Sequence, residues 1–399
     1  MKLLYFLLLP LLLAAQPKDS LPVKAFTFTR AHYKNFVIDK TGLVFAVTAG
    51  DSLIIWDIKE GSYSVEKGIA AVAKHASGNT VSVTTKGQIH FKGRVLDSVI
   101  NAGSIRNLFM YKDMPVVITS RGVYYDGSRY YPEDQKALQE MTVRTQGKRH
   151  FLTGSLQYLD ANGKLWFCYD RGEFGGGIAF FDLNTRKFTA ADNLYFMYDD
   201  KYEDDESRNR NPGDAVLFAE FPEYVKITET DTLYKFPYDL YINHMKGIAE
   251  DGEGNFLLSE SLMHFFLDGN ITLLEKSIYD GFYKINRLKG LIGYETLTND
   301  LGIHKITTEY IGPTAYNPFD NHFYYYGSDG FFRISKENEK YKKELLFKPS
   351  LMWDYGMPHA VGAQMNVTKF EFIAPGEVIF LTTNSGIGYY NGKQITYYR

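Results

Sequence analysis

The residues best suited to contact a ligand stand in one segment, SLMWDYGMPHAVGAQM, which brings Trp353, Tyr355 and His359 close together in sequence. Two aromatic rings and an imidazole in one loop could stack on a sugar face or a peptide side chain. The competing reading is a loop packed over its neighbours. A second set is acidic: Asp199, Asp200, Glu203, Asp204, Asp205 and Glu206. Hard cations take oxygen ligands from such stretches, but the alternating ligand spacing with a central glycine is missing. A solvated loop is the expectation, and no metal site.

Other chemistries find less support. The 9 histidines are scattered, without the i, i+4 pairing or close spacing of a zinc site. Residues 172–177 are rich in glycine but lack the Lys-Ser/Thr that completes a phosphate loop. Cys168, in the apolar run LWFCY, reads as a small buried hydrophobe. Asn270 and Asn366 open glycosylation sequons, which matter only on a eukaryotic secretory route. No catalytic residue and no cofactor is expected from these sets.

The elements that must position Trp353, Tyr355 and His359 follow from composition. Phe, Tyr and Trp make up 16% of the chain, with 31 Tyr and 29 Phe, and helical periodicity is scarce. Such side chains suit a pleated, half-buried surface. The chain is therefore expected to be all-β. Its single cysteine rules out an internal disulfide, so the core alone must hold the fold. A net charge of −3 argues against a nucleic-acid surface.

Met1 and Lys2 precede an apolar run over residues 3–13, then Ala14 and Ala15. A charged start, a short apolar stretch and small residues describe a secretory signal peptide over residues 1–16. The run is shorter than the roughly 20 residues a membrane span needs. A secreted or periplasmic location is expected, with no membrane insertion.

A repeat organises residues 17–399. NFVIDKTGLVFAVTAGDSLIIWDI, NTVSVTTKGQIHFKG, MPVVITSRGVYYDG and EVIFLTTNSGIGYYNG share an apolar run ending in Thr, a short link, an aromatic run and a turn containing Gly. Glycine, and next best Asn or Asp, accepts the positive φ of tight turns. Eight segments fit, beginning near Phe36, Ala71, Arg106, Leu156, Gly247, Phe282, Phe319 and Phe370. Four short strands per unit at this period is the arithmetic of propeller blades. The expectation is a single β-propeller of seven or eight four-stranded blades, with residues 23–30 adding a strand at the seam.

Asp39-Lys40-Thr41-Gly42 running to Asp57, Asp160-Ala161-Asn162-Gly163 running to Asp182, and Asp251-Gly252-Glu253-Gly254 resemble the repeats of two-component regulator propellers. Those are the periplasmic sensor halves of certain hybrid histidine kinases. The resemblance implies a sensor-type propeller, here without the kinase part.

In an up-and-down blade, links from the second to the third strand and from the last strand to the next blade emerge at one end. Insertions near 132–151, 190–245 and 349–369, and the link at 169–177, all belong to that end. Residues 132–144 are expected to form a short helix with Ala137, Leu138 and Met141 on one side. Long loops on a rigid scaffold are where binding tends to reside. The reading is a non-enzymatic module engaging a protein, peptide or glycan there; the alternative is a propeller lyase or hydrolase with its residues at the central channel.

Overall fold

The computed structural model describes residues 32–99, 103–133, 138–139, 141–145, 147–170, 176–191, 245–260, 311–327, 330–337, 340–349, 367–383 and 386–398. It also describes strand segments at 23–26, 194–195, 264–267, 271–273, 283–285, 288–292, 295–298 and 304–307. The signal peptide expected at residues 1–16 lies outside these. Among the described residues no helix is long and apolar enough to cross a membrane.

Within each blade the neighbouring strands run antiparallel, from the opening strand outward. The first runs Tyr33–Ile38, Val44–Thr48, Ser52–Asp57 and Ser62–Lys67, each strand hydrogen-bonded to the next. Further sheets open with Ile69–Lys74, Ile105–Tyr111, Leu156–Leu159, Met245–Glu250, Ile311–Asn317 and Val367–Ala374. Among the described residues six sheets are four-stranded, and the one opening at Val367 has five strands.

The opening strands lie side by side in chain order. Tyr33–Ile38 contacts Ile69–Lys74, which contacts Ile105–Tyr111; Leu156–Leu159 meets Met245–Glu250, then Ile311–Asn317, then Val367–Ala374. Asn107 Nδ2 donates to Gln157 Oε1 at 3.0 Å, joining the third and fourth. The circle closes where Glu377–Thr382 packs on Tyr33–Ile38.

Apolar side chains fill the space between neighbouring sheets. Phe36, Val44 and Trp56 pack with Ile379, Leu381 and Tyr398 across the seam. Val116, Ile118 and Tyr125 meet Leu165, Phe167 and Phe181, and Trp166 lies 5.7 Å, centroid to centroid, from Phe256 of the next sheet. Burial of both faces is what a greasy four-stranded sheet requires. The chain is an all-β β-propeller of four-stranded blades.

The expected seam strand is present. Val23–Phe26 pairs in parallel with Ile395–Tyr398, and Tyr398 Oη donates to the Ile58 carbonyl at 2.7 Å. Two expectations are corrected. The unit beginning near Phe282 forms no four-stranded sheet among the described residues: Tyr283–Ile285 pairs with Ile271–Leu273, Leu288–Ile292 is the outer strand of the sheet opening at Met245, beside His264–Leu267, and Glu295–Thr298 pairs with His304–Thr307 as a separate two-stranded sheet. The unit placed at Phe319 begins earlier, with Ile311–Asn317. Pro313 obscured that strand in the sequence, yet it sits at a bulge where no ladder bond is lost.

Candidate functional site

Two ends of the ring differ in construction. At one end, the turn joining the first and second strands of a blade is stapled by its own side chain. Asp39 Oδ1 accepts from the backbone N–H of Thr41 at 2.8 Å and of Leu43 at 3.0 Å. Asp251 Oδ1 accepts from Glu253 and Asn255 N–H, both at 2.8 Å. Asp160 Oδ1 accepts from Lys164 N–H at 2.8 Å, and its Oδ2 from Trp166 Nε1–H at 3.0 Å. The residues that carried the family resemblance are thus turn staples, following the habit of Asp to bond backbone a few residues on.

These turns are also laced together. Lys40 N–H donates to Gly78 O at 2.7 Å, and Tyr111 Oη donates to Asn184 Oδ1 at 3.1 Å. Gly163, at φ +84°, lies against the Tyr111 ring, where a Cβ would come within 2.5 Å. Ala161 N–H donates to Glu250 Oε2 at 2.9 Å across to the next blade. Burial is the first cause holding the Asp160 and Glu250 carboxyls above the usual carboxylate range. A neutral carboxyl suits acid catalysis, but the oxygens of Asp160 hold the turn and Trp166, and Glu250 Oε2 holds the neighbouring turn. Glu250 went unnoticed in the sequence because its partner Ala161 is 89 residues away.

At the other end the second strands finish in Thr48, Thr84, Thr119 and Thr382. Their hydroxyls cap the following turns, with Thr48 Oγ1 accepting from Ser52 N–H at 3.1 Å and Thr84 Oγ1 from Gln88 N–H at 3.0 Å. Opposite these threonines each opening strand bulges: the register shifts between Tyr33 and Asn35, Ile69 and Ala71, Ile105 and Asn107, and Val367 and Lys369. A further shift falls between Met245 and Gly247, opposite Glu260. A bulge re-aims the extra side chain. The residues so placed include Lys34, Arg106 and Lys246, and Lys34 and Arg106 are exposed. Lys34 Nζ is 2.5 Å from Asp51, and Lys246 Nζ is 3.9 Å from Asp170.

The long connections leave from this same end, between Ser128–Tyr130 and Leu156–Leu159, between Lys187–Ala191 and Met245–Glu250, and between Lys340–Phe347 and Val367–Ala374. An exception is the link between His264–Leu267 and Leu288–Ile292, which starts and finishes at the stapled end. Trp353, Tyr355 and His359 lie outside the described residues, as do the acidic residues at 199–206.

The helix expected within 132–144 is corrected in its last turn. Thr142–Thr145 and Lys148–Phe151 form an antiparallel hairpin, because the β-branched Thr142, Val143 and Thr145, with Gly147 at φ +77°, favour strand and turn over helix. Met141 is buried there with Phe151 among Leu165, Phe167 and Phe188. Cys168 is buried too, and burial pushes its thiol up to about 12. That suits the packing role read from the sequence.

No protein-family model matches this chain, and no curated protein sequence does. Among solved structures it is similar to YCF48 from Cyanidioschyzon merolae, at 10% identity and a TM-score of 0.48, over 91% of this chain and 96% of that one. It is similar to Hsv2 of Kluyvelomyces marxianus, at 10% identity and a TM-score of 0.43, over 92% and 97%. Another neighbour is the extracellular domain of the putative hybrid two-component system BT4673 from B. thetaiotaomicron, at 10% identity and a TM-score of 0.42. This alignment takes in 94% of this chain but 40% of that domain.

Proposed function

We infer that this chain is an exported interaction propeller that engages a protein, peptide or glycan partner through its long-connection end. The observation that carries the reading is the asymmetry of the ring. One end is closed by stapled turns tied to one another, while the other gives rise to most of the long connections and carries the bulged cationic residues. Loops on a rigid scaffold can vary and bind without unsettling the fold. We read the ring as seven-bladed, with Val23–Phe26 adding a fifth strand to the blade that opens at Val367. The segment holding Trp353, Tyr355 and His359 joins two strands at the binding end, and these residues are assigned to the contact surface. The apolar run after Met1 and Lys2 supports export.

The test is a screen of the purified chain against glycan and peptide arrays, repeated with Trp353→Ala, Tyr355→Ala and His359→Ala. The expected result is a ligand whose affinity falls by about tenfold or more with at least one of these, as truncating a central aromatic contact commonly does. A ligand indifferent to all three, but lost on substitution of Thr41 or Glu253 at the stapled end, would overturn the assignment.

A further inference from the structure

Residues 141–159 contain no Asp or Glu, yet hold Arg144, Lys148, Arg149 and His150. In a chain whose acids outnumber its Lys and Arg, 47 to 44, this is a local reversal of sign. The hairpin register sets Arg144 directly opposite Arg149, and Val143 opposite His150. Both arginines and His150 are exposed. Among the described residues neither arginine forms an ion pair with a carboxylate.

Like charges placed directly across a strand pair are destabilising, and a hairpin kept only for packing would do better with opposite signs. Packing is already secured at the root. Met141 is 0% exposed and Phe151 5%, both wedged between two blades, and Leu152 N–H closes on the Met141 carbonyl at 2.7 Å. The outer pair is therefore carried on a fixed base. Opposed side chains start about 5 Å apart at Cβ, so two planar guanidinium forks can close on one oxyanion and donate to it bidentately. Arg106, exposed at the bulge of the preceding blade, stands at the same end of the ring.

We propose that Arg144 and Arg149 form a clamp for a tetrahedral oxyanion, a phosphate or sulfate group carried by the partner. This deepens the reading of the long-connection end and rests on it for the partner, though not for the ion. The test is isothermal titration calorimetry of the full chain with sodium phosphate and, separately, sodium sulfate, against chloride at matched ionic strength. Saturable binding is expected, weakened about tenfold or more in R144Q/R149Q. The R144K/R149K variant keeps the charge but loses the fork, and is expected to fall between the two. Either ion alone sustains the clamp, and the better one identifies the source as a phosphorylated or a sulfated ligand.

No saturation beyond the chloride control, or equal affinity in wild type and R144Q/R149Q, overturns the proposal. So does full-strength binding by R144K/R149K, which would indicate diffuse charge instead of a clamp. Both substituted positions are exposed, and an unchanged unfolding midpoint verifies that the fold is intact. If array ligands respond to Trp353→Ala while neither ion binds, the clamp alone fails. If the ions bind but array ligands ignore this end, the reading of the face fails and the clamp stands.

Discussion

The stapled end and the long-connection end are built from the same strands, yet they spend their polar side chains differently. At the stapled end Asp39, Asp160 and Asp251 are consumed by backbone N–H groups of their own turns. At the other end Thr48 and Thr84 do that local work with a neutral hydroxyl, and the charged residues Arg106, Arg144 and Arg149 are exposed. What the difference teaches is that acids hold this ring together and cations are left over for contact. Substitutions should therefore cost stability at one end and binding at the other.

The largest effect is expected from Asp160→Ala. Asp160 is 4% exposed, and its loss leaves Trp166 Nε1–H and Lys164 N–H without their acceptor. Stranding the buried indole donor costs about 1–3 kcal/mol and losing the half-buried turn bond about 1 kcal/mol, so a loss of about 3 kcal/mol is expected. Urea unfolding followed by tryptophan fluorescence measures it. Arg106→Ala, exposed at the opposite end, should stay within about 0.5 kcal/mol of wild type in the same assay. If the two variants lose equal stability, the contrast between the ends collapses.

Gly163→Ala comes next. The position needs φ +84°, and the new Cβ would meet the Tyr111 ring at 2.5 Å. A left-handed non-glycine residue costs about 1 kcal/mol and displacing a packed ring a similar amount, so a loss of about 2 kcal/mol is expected. Gly42→Ala separates the two contributions, because that glycine has φ +87° with nothing within 4 Å of the added atom. Half the loss at Gly42 fits this account, whereas equal losses would leave the Tyr111 contact without weight.

How far these features were legible in the sequence depends on the range of the interaction. Asp39, Asp160 and Asp251 announce their turns because the staple spans only a few residues, and the alternation of residues 23–30 announced the seam strand. Ile311–Asn317 was hidden by Pro313, which argues against a strand unless a bulge absorbs it. The same locality misled the reading of residues 288–292, whose partner strand His264–Leu267 is reached only through an inserted link. The candidate site was less visible. Glu250 acts on a turn far back in the chain, and the Arg144–Arg149 pairing depends on a register that helical spacing would never produce.

The stapled end should also carry the pH dependence. Burial holds the Asp160 and Glu250 carboxyls above their ordinary values of 3.8 and 4.5, so the folded chain keeps these protons after the unfolded chain has released its own. The unfolded state then binds fewer protons, and stability falls as pH rises from those ordinary values toward the raised folded ones. Glu250→Gln removes its share while Gln keeps an oxygen for Ala161 N–H. As pH rises above about 4, where the unfolded carboxyls begin to release their protons, wild type should lose stability relative to the variant. Parallel curves, or wild type gaining, would show that Glu250 is not held protonated by the fold.

The smallest expected change, and the one that bears most directly on the binding end, is Arg149→Glu. It replaces a like-charged cross-strand pair with a carboxylate facing Arg144, on a hairpin whose root is already buried with Met141 and Phe151. An opposite-charge pair is worth about 0.2–1 kcal/mol over its neutral reference, and like charges are unfavourable. A gain of about 0.5 kcal/mol is therefore expected, discounted for solvent exposure and salt, and measurable by urea unfolding at low ionic strength. Phosphate and sulfate binding should vanish in the same variant. A more stable hairpin that no longer binds would show that Arg149 is retained for contact at the expense of stability. A hairpin made less stable by the substitution would mean the two arginines are sustained by a favourable interaction of their own, and the case for an anionic partner would lose its physical basis.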